Sequence, residues 1–379
     1  MFPENHIHTM KRTIIVLLNI CLSIFCVNAQ RAEVQLSDPE SFSLVVFGDA
    51  QSYTRFDQNQ PVFELCTAWI AGNADKLNIQ GVLFTGDVIQ TNDNLVVKGR
   101  KNHNQTSRQQ WEWASHCLER LDGRVPYIIA GGNHEYGYTR GDEDFTHYPE
   151  YYTAERNSKT AEHLVATFPN RMGRASLENA VWEFTTRHWG KLLVVGTEWA
   201  PRDTVLAWVR GLCESKKYKD HTVIFLTHNL LKEVEGGGAK YTNSSYKVSN
   251  PNWGQQIWDK LLYPCKNIRL AVCGHTGHSA ADDGEELGSA HDFMSNMAYR
   301  CDKNAAGLSV HQMMFNVQYL SGGAGGSGGD GWLRLLEFMP DGKTIKASTY
   351  SVLFGCSPVT KHLASRTDPC CLFDMVVEQ

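Results

Sequence analysis

Several apolar runs in this chain end in the same way, in a glycine or threonine followed at once by an aspartate, asparagine or histidine. The five pairs are Gly48-Asp49, Gly86-Asp87, Gly132-Asn133, Thr227-His228 and Gly274-His275. The runs before them are short and rich in β-branched and aromatic residues, which is typical of buried strands. Because ligands bind at the carboxyl edge of the strands in an α/β sheet, this recurrence predicts one edge lined by polar side chains.

Between these runs, apolar residues recur at helical spacing. One such segment begins at Pro61, a second carries Trp111 and Leu118, a third begins at Arg202, and a fourth carries Ile257. Strands that alternate with amphipathic helices predict an α/β fold, with helices covering the sheet. A final group of strands is expected over about 312–320, 332–338 and 344–350.

Composition permits a packed globular core, since 42% of the residues are hydrophobic and 20% are charged. The formal net charge is -5 and no run of lysines and arginines appears, so no nucleic-acid-binding surface is evident. We find no internal repeat and no linker-like stretch, and we expect one domain over 38–351 followed by a tail at 352–379. In an oxidising compartment, Cys356 can pair with Cys370 or Cys371 and pin that tail.

The N-terminus carries a basic pair at 11–12 and an apolar run from Ile14 to Cys26, which predicts a cleaved signal peptide over 1–29. As a helix this run would be about 20 Å long, short of the ~30 Å hydrocarbon core. We therefore expect a secreted or periplasmic protein with no transmembrane anchor after cleavage. Cys21 and Cys26 leave a lipoprotein as the alternative.

A single Gly-Asp pair after a strand is more often a turn or a helix cap than a metal ligand. Five such ends, all carrying groups that bind hard or borderline metals, favour a metal site over five separate caps. In their order along the chain they resemble the motifs of calcineurin-like metallophosphoesterases: Gly48-Asp49-x-Gln51, Gly86-Asp87, Gly132-Asn133-His134-Glu135, Thr227-His228 and Gly274-His275. Two further stretches, 198–203 and 331–336, resemble an exported bacterial branch of that family.

The resemblance implies a four-layer α/β sandwich, in which two mixed β-sheets are flanked by helices. It also implies two divalent metal ions, held ~3.5–4 Å apart, that activate a bridging hydroxide for attack on a phosphomonoester or phosphodiester. Asp87 would bridge both ions. One ion would be held by Asp87, Asn133, His228 and His275, all of which are present.

The second ion would be held by Asp49, Gln51, Asp87 and a further histidine, and here the chain departs from the family pattern. Gln51 stands where a histidine is usual, and Gly277 stands where the second histidine of a Gly-His-x-His element is expected. His278, one position later, is either a displaced ligand or a loop residue. Because an amide oxygen is harder than an imidazole, Mn²⁺ or Fe²⁺ is favoured, with Mg²⁺ or Zn²⁺ as alternatives.

By the same resemblance His134 is the catalytic residue, placed beside the phosphoryl group to stabilise charge or protonate the leaving oxygen. Glu135, Asp142 or Asp144 can orient it. Asn133, His134 and Arg140 are the candidate substrate-binding residues, and a small molecule or a headgroup carrying a phosphate ester is the expected substrate. Two alternatives stay open: a non-catalytic protein that keeps a single metal on the same fold, and a secreted sugar-binding module.

Overall fold

The computed structural model describes residues 33–95, 103–138, 140–234 and 238–378. The predicted signal peptide lies outside the described residues. Within those ranges no helix has the length and apolar character needed to cross a membrane.

The described residues form fifteen strands, which we number in chain order. They are β1 Phe42–Phe47, β2 Ile79–Phe84, β3 Tyr127–Ile129, β4 Leu164–Thr167, β5 Ala180–Thr186, β6 Gly190–Gly196, β7 Thr222–Leu226, β8 Leu231–Val234, β9 Gly238–Tyr241, β10 Ile268–Cys273, β11 Met297–Lys303, β12 Ser309–Phe315, β13 Trp332–Phe338, β14 Thr344–Ser351 and β15 Phe373–Val376. A six-stranded sheet has the order β15-β14-β13-β1-β2-β3, and a seven-stranded sheet has the order β11-β12-β10-β7-β6-β5-β4. Strands β8 and β9 form a separate antiparallel hairpin.

Both large sheets are mixed. In the first, β1, β2 and β3 are parallel, and β13 to β15 add an antiparallel half. In the second, β6, β7, β10 and β12 are parallel to one another, while β4, β5 and β11 are antiparallel to their neighbours. The parallel strands of each sheet therefore all end at one edge.

Helices connect the strands and cover the outer faces of the sheets. The α-helices are α1 Gln51–Thr54, α2 Gln60–Asn73, α3 Ser107–Leu118, α4 Tyr148–Tyr151, α5 Ser158–His163, α6 Asp203–Glu214, α7 Gly254–Ile257, α8 Ala290–Met294 and α9 Val352–Gly355. Short 3₁₀ turns include Asn133–Glu135 and Ala280–Asp283, and a π-turn follows α7 over Trp258–Leu262. Helix α3 begins with a capping box, because Thr106 and Gln109 bond each other's backbone N–H groups.

The alternation of side chains along the second sheet explains the layering. In β7, Ile224 and Leu226 pack with residues of the first sheet, whereas Val223 and Phe225 pack with helix α6. Successive side chains of a strand point to opposite faces, so each strand of this sheet contributes to two cores. The result is the predicted arrangement of two mixed sheets between helical layers, and the predicted fold class is confirmed.

Three segments depart from the sequence expectations. The expected strand at 312–320 lies instead at Ser309–Phe315, with β11 as an antiparallel neighbour that the sequence pattern did not indicate. The β8–β9 hairpin lies in a segment for which the sequence pattern indicated no strand. The tail is held by strand pairing, because β15 pairs with β14, and no disulfide forms among the described cysteines, Cys356 included.

Candidate metal centre

The polar side chains predicted from the strand ends converge where the parallel strands of both sheets terminate. Asp49, Asp87 and Asn133 follow β1, β2 and β3 of the first sheet, whereas His228 and His275 follow β7 and β10 of the second. Because the two sheets pack face to face, residues far apart in sequence meet across this common edge.

One group of ligand atoms is compact and contains the four side chains predicted for the first ion. The Oδ2 atom of Asp87 lies 3.1 Å from Nε2 of His228, and that same nitrogen lies 3.2 Å from Oδ1 of Asn133. Nδ1 of His275 lies 3.1 Å from His228 Nε2. Ligand atoms of Asp87, His228 and His275 all lie within 4.8 Å of one another. Two imidazoles, a carboxylate and an amide oxygen at this spacing are a donor set that fits a divalent transition metal.

The second group is built from carboxylate and amide side chains. Gln51 donates from Nε2 to Asp87 Oδ2 at 3.2 Å and to Oε1 of Gln318 at 2.7 Å. Gln318 in turn donates to Asp49 Oδ2 at 3.2 Å. The buried Oε1 of Gln51 accepts no hydrogen bond, and rotation of the amide would turn this oxygen towards the two carboxylates. The donors therefore fit a hard cation, with oxygen ligands replacing the usual imidazoles.

His278 does not lie in this group. Its Nε2 is 2.6 Å from Asp283 Oδ2, and its Nδ1 is 3.6 Å from Glu233 Oε1. At Gly277 the backbone has φ +148 and packs so closely on Asn296 that a Cβ there would overlap its Oδ1. The position where the second histidine of a Gly-His-x-His element is expected therefore has no room for a side chain.

The glycines before the ligands are required by space and by backbone conformation. A Cβ on Gly274 would overlap Oδ1 of Asp49, and one on Gly86, at φ +106, would lie 2.8 Å from His228 Nδ1. Asp87 and His275 themselves adopt left-handed backbone at φ +50 and φ +73. Such conformations are uncommon outside glycine and cluster at functional sites, and here they aim both side chains at the centre.

Glu135 supports the loop that carries Asp87. It is fully buried, and its Oε2 accepts hydrogen bonds from the backbone N–H groups of Asp87 and Gly132, each at 2.8 Å. Its Oε1 accepts from the N–H of Ile89 at 3.3 Å. Glu135 therefore fixes the backbone of a ligand and does not orient the His134 ring, the role considered from the sequence.

His134 lies beside the centre with its ring held by the backbone. Nδ1 is 2.5 Å from the carbonyl of Gln90, which leaves Nε2 facing Asp87 Oδ2 at 3.9 Å. Burial lowers the pKa of His134, and the positive charge of Arg140 lowers it further. Arg140 is exposed, so its charge acts on the site from the rim.

The protonation of His228 and His275 depends on burial and on the charged groups beside them, which include the carboxylates of Asp49 and Asp87. Burial lowers the pKa of His228, but the carboxylates of Asp87 and Asp49 outweigh burial and raise it to about 9. Burial and the neighbouring His228 lower the pKa of His275 to about 3. With no cation bound, His228 thus carries the proton that compensates the carboxylates, and a divalent cation would have to displace it.

An aromatic wall borders the histidines. The ring of Trp199, which follows β6, lies with its centroid 5.1 Å from His275 and 5.4 Å from His228. Tyr246 stacks edge-on against Trp199 and lies 5.9 Å from His275. Trp199 is fully buried and packs behind the histidines, whereas Tyr246 is the partly exposed member of this wall.

Two supporting residues were missed by the sequence patterns. Thr85 donates from Oγ1 to Asp49 at 2.7 Å, and its carbonyl accepts from His228 Nδ1 at 2.8 Å. Gln318 lies three positions after the end of β12 at Phe315, whereas the expected strand over 312–320 placed it inside the sheet.

Comparison with known proteins agrees with this geometry. A family model for calcineurin-like phosphoesterases matches residues 42–279. That span is more than half of the chain and holds all five predicted strand-end ligands, and the chain belongs to this family.

One curated relative is the uncharacterized protein YvnB of Bacillus subtilis (strain 168), which is 24% identical over 313 residues. The match covers 82% of this chain and 20% of the relative, so the chain spans about a fifth of its length. Among solved structures, purple acid phosphatase PPD1 from yellow lupin (Lupinus luteus) seeds shares 14% identity at a TM-score of 0.43, over 83% of this chain and 52% of that one. A dimetal phosphatase from Danio rerio shares 9% identity at a TM-score of 0.48, over 90% and 100%.

Proposed function

We propose that this protein hydrolyses a phosphate monoester or diester in a reaction that requires two divalent metal ions. The observation that carries the proposal is the convergence of Asp87, His228 and His275 within 4.8 Å, at the meeting edge of the two sheets. Asn133 completes this group, and the family to which the chain belongs supports the same chemistry.

Each half of the centre has its own ligands. Asp87, Asn133, His228 and His275 would hold one ion, and Asp49, Gln51 and Asp87 would hold the other, with Gln318 as an additional oxygen donor. The oxygen-rich second half favours Mn²⁺ or Fe²⁺ there, with Mg²⁺ or Zn²⁺ as alternatives. When bound, the ions would supply the Lewis acid for the phosphoryl group and the activated water.

The protein's own residues would bind the ester and move the proton. Because Nδ1 of His134 is fixed on the carbonyl of Gln90, proton exchange with the leaving oxygen falls to Nε2. Arg140 would bind the phosphate from the rim, where it adds positive charge to the site. Tyr246, the partly exposed member of the aromatic wall, suits a substrate whose phosphate is attached to an apolar group or a sugar face, such as a lipid or carbohydrate headgroup.

We also propose that the protein acts outside the cytoplasm, in secreted or periplasmic form. The support is the basic pair at 11–12 followed by the apolar run from Ile14 to Cys26. N-terminal sequencing of the protein recovered from the secreted and periplasmic fractions tests it. A start near Gln30 agrees with export, and recovery only from cytosol with the N-terminus intact contradicts it.

The activity is tested with the purified full chain, loaded with Mn²⁺, on an aryl phosphomonoester and its diester. Asp87→Asn is the test variant because it keeps the shape of the side chain and removes its charge, and Asp374→Asn, at an exposed aspartate, is the matched control. We expect the wild type and the control to bind two metal ions and hydrolyse at least one substrate, and Asp87→Asn to lose about 10²-fold or more in rate.

Wild-type protein that binds a single metal and hydrolyses neither ester would identify the non-catalytic alternative. Equal hydrolysis by wild type and Asp87→Asn would remove Asp87 from the reaction and overturn the proposal.

A further inference from the structure

A second cluster of metal-ligating side chains lies outside the centre described above. His278, Asp283 and His291 present ligand atoms that all lie within 4.8 Å of one another. Asp283 Oδ2 is 2.6 Å from Nε2 of His278 and 2.9 Å from Nε2 of His291. The three side chains are 37%, 41% and 40% exposed, so water and ions reach them.

We propose that His278, Asp283 and His291 form a separate surface site for a late first-row divalent cation such as Zn²⁺. Two imidazole nitrogens and one carboxylate oxygen are the ligands that Zn²⁺ takes in three-residue protein sites, with water at the fourth position. Such a set binds Zn²⁺, Cu²⁺, Ni²⁺ or Co²⁺ more tightly than Mg²⁺ or Ca²⁺, which prefer oxygen ligands.

A supporting carboxylate stands behind one of the imidazoles. Glu233 Oε1 lies 3.6 Å from Nδ1 of His278, on the opposite side of the ring from Asp283. A carboxylate that accepts a hydrogen bond from Nδ1 orients a metal-ligating histidine through Nε2, and Glu233 would take that role by closing the 3.6 Å separation to hydrogen-bond distance. Thr276 lies close to the same carboxylate, with Oγ1 3.4 Å from Glu233 Oε2.

The backbone around the cluster is held in place by buried contacts. The carbonyl of His278 accepts a hydrogen bond from Asn296 Nδ2 at 2.9 Å. Next to His291, the fully buried Asp292 accepts from the N–H groups of Gly288 at 2.8 Å and Ser321 at 2.9 Å. The two imidazoles are thus carried on fixed supports, which lowers the entropy cost of binding an ion between them.

An ion bound at this additional site would act on the segment that follows His275, a ligand of the proposed catalytic centre. An ion bound here would join the loop that leaves His275, the 3₁₀ turn at Ala280–Asp283 and helix α8. The ion would therefore hold the segment after His275 against the protein surface. It would not contact the substrate phosphate at the catalytic centre.

The test compares Zn²⁺ binding to the full chain by equilibrium dialysis and metal analysis. We would use wild type, His291→Ala, Asp283→Ala and the matched control His362→Ala, which removes an exposed histidine elsewhere. The wild type and the control should bind one Zn²⁺ per chain more than the two test variants. Thermal unfolding followed by circular dichroism establishes that all four proteins are folded. Equal Zn²⁺ stoichiometry in all four overturns the proposal.

Two further variants separate this site from the catalytic centre. Glu233→Gln should lower the Zn²⁺ affinity of the additional site by ~10–100-fold, as expected for loss of a supporting carboxylate. His278→Ala should lose the same single ion as His291→Ala and keep the metals bound at Asp87. If His278→Ala instead empties a position at the Asp87 centre, His278 belongs to that centre and the separate site is refuted. Because metal binding is measured directly, a protein without phosphoesterase activity would still give a clear result here.

Discussion

Removal of the Glu135 carboxylate should lower the free energy of unfolding, because three backbone N–H groups lose their hydrogen-bond acceptor. Glu135→Ala leaves the buried N–H groups of Asp87, Gly132 and Ile89 without their acceptor, after losing contacts of 2.8, 2.8 and 3.3 Å. Each buried donor left unpaired costs about 1–3 kcal/mol, so the loss should reach roughly 3–7 kcal/mol when the longest contact is counted at about 1 kcal/mol. That is a large part of a typical stability of about 5–15 kcal/mol. Glu135→Gln, which keeps one acceptor oxygen, should cost about 1–3 kcal/mol.

The assay is urea denaturation followed by fluorescence, in buffer with a metal chelator so that loss of bound metal does not add to the result. Glu143→Ala, at an exposed glutamate between Glu135 and helix α4, is the control and should change stability by less than about 0.5 kcal/mol. A Glu135→Ala protein as stable as this control would refute the account, since it would mean that the Asp87 loop does not depend on the buried carboxylate.

Three more predictions follow from the centre. Gln51→His should raise the affinity of the second metal position for Zn²⁺ relative to Mn²⁺, because it exchanges an amide for an imidazole. Competition titration measures this preference, and an unchanged preference would mean that Gln51 is not a ligand of the second ion. The pKa of His228, raised from 6.5 to about 9, means that a proton competes with the cation below pH 9. Metal affinity from isothermal titration should therefore rise by up to ~10-fold per pH unit between about pH 7 and 8.5, and equal affinity across that range would contradict this protonation. Arg140→Ala should raise KM about 10-fold with kcat nearly unchanged, as expected for one charged contact to the bound phosphate, whereas the exposed Arg174→Ala should change neither.

The fold was predictable because its signals are local. The strand Trp332–Phe338 has the bounds that the sequence pattern indicated, since hydrophobic periodicity and turn residues are encoded within a few positions. Strand β11 was missed because its sequence, Met297–Lys303, is half exposed and carries no continuous apolar run. Its position is decided by pairing with β12, which is a tertiary interaction.

In the candidate site, too, local signals could be recognised in the sequence and long-range contacts could not. Asp49, Asp87 and His228 were indicated by their places at strand ends. Glu135 and Gln318 were not given their roles, because their partners are distant backbone and side-chain groups, such as Asp49, 269 positions from Gln318. His278 was ambiguous from sequence because the path of the chain after Gly277 depends on close packing against Asn296.

In the proposed centre two metal ions flank Asp87, and anomalous diffraction from crystals of the Mn²⁺-loaded protein would show both. We expect two anomalous peaks ~3.5–4 Å apart, one near Asn133, His228 and His275 and the other near Asp49 and Gln51, with Asp87 between them. A single peak on the His228 side would contradict the dinuclear assignment, and no peak within coordination distance of Asp87 would contradict the metal centre itself.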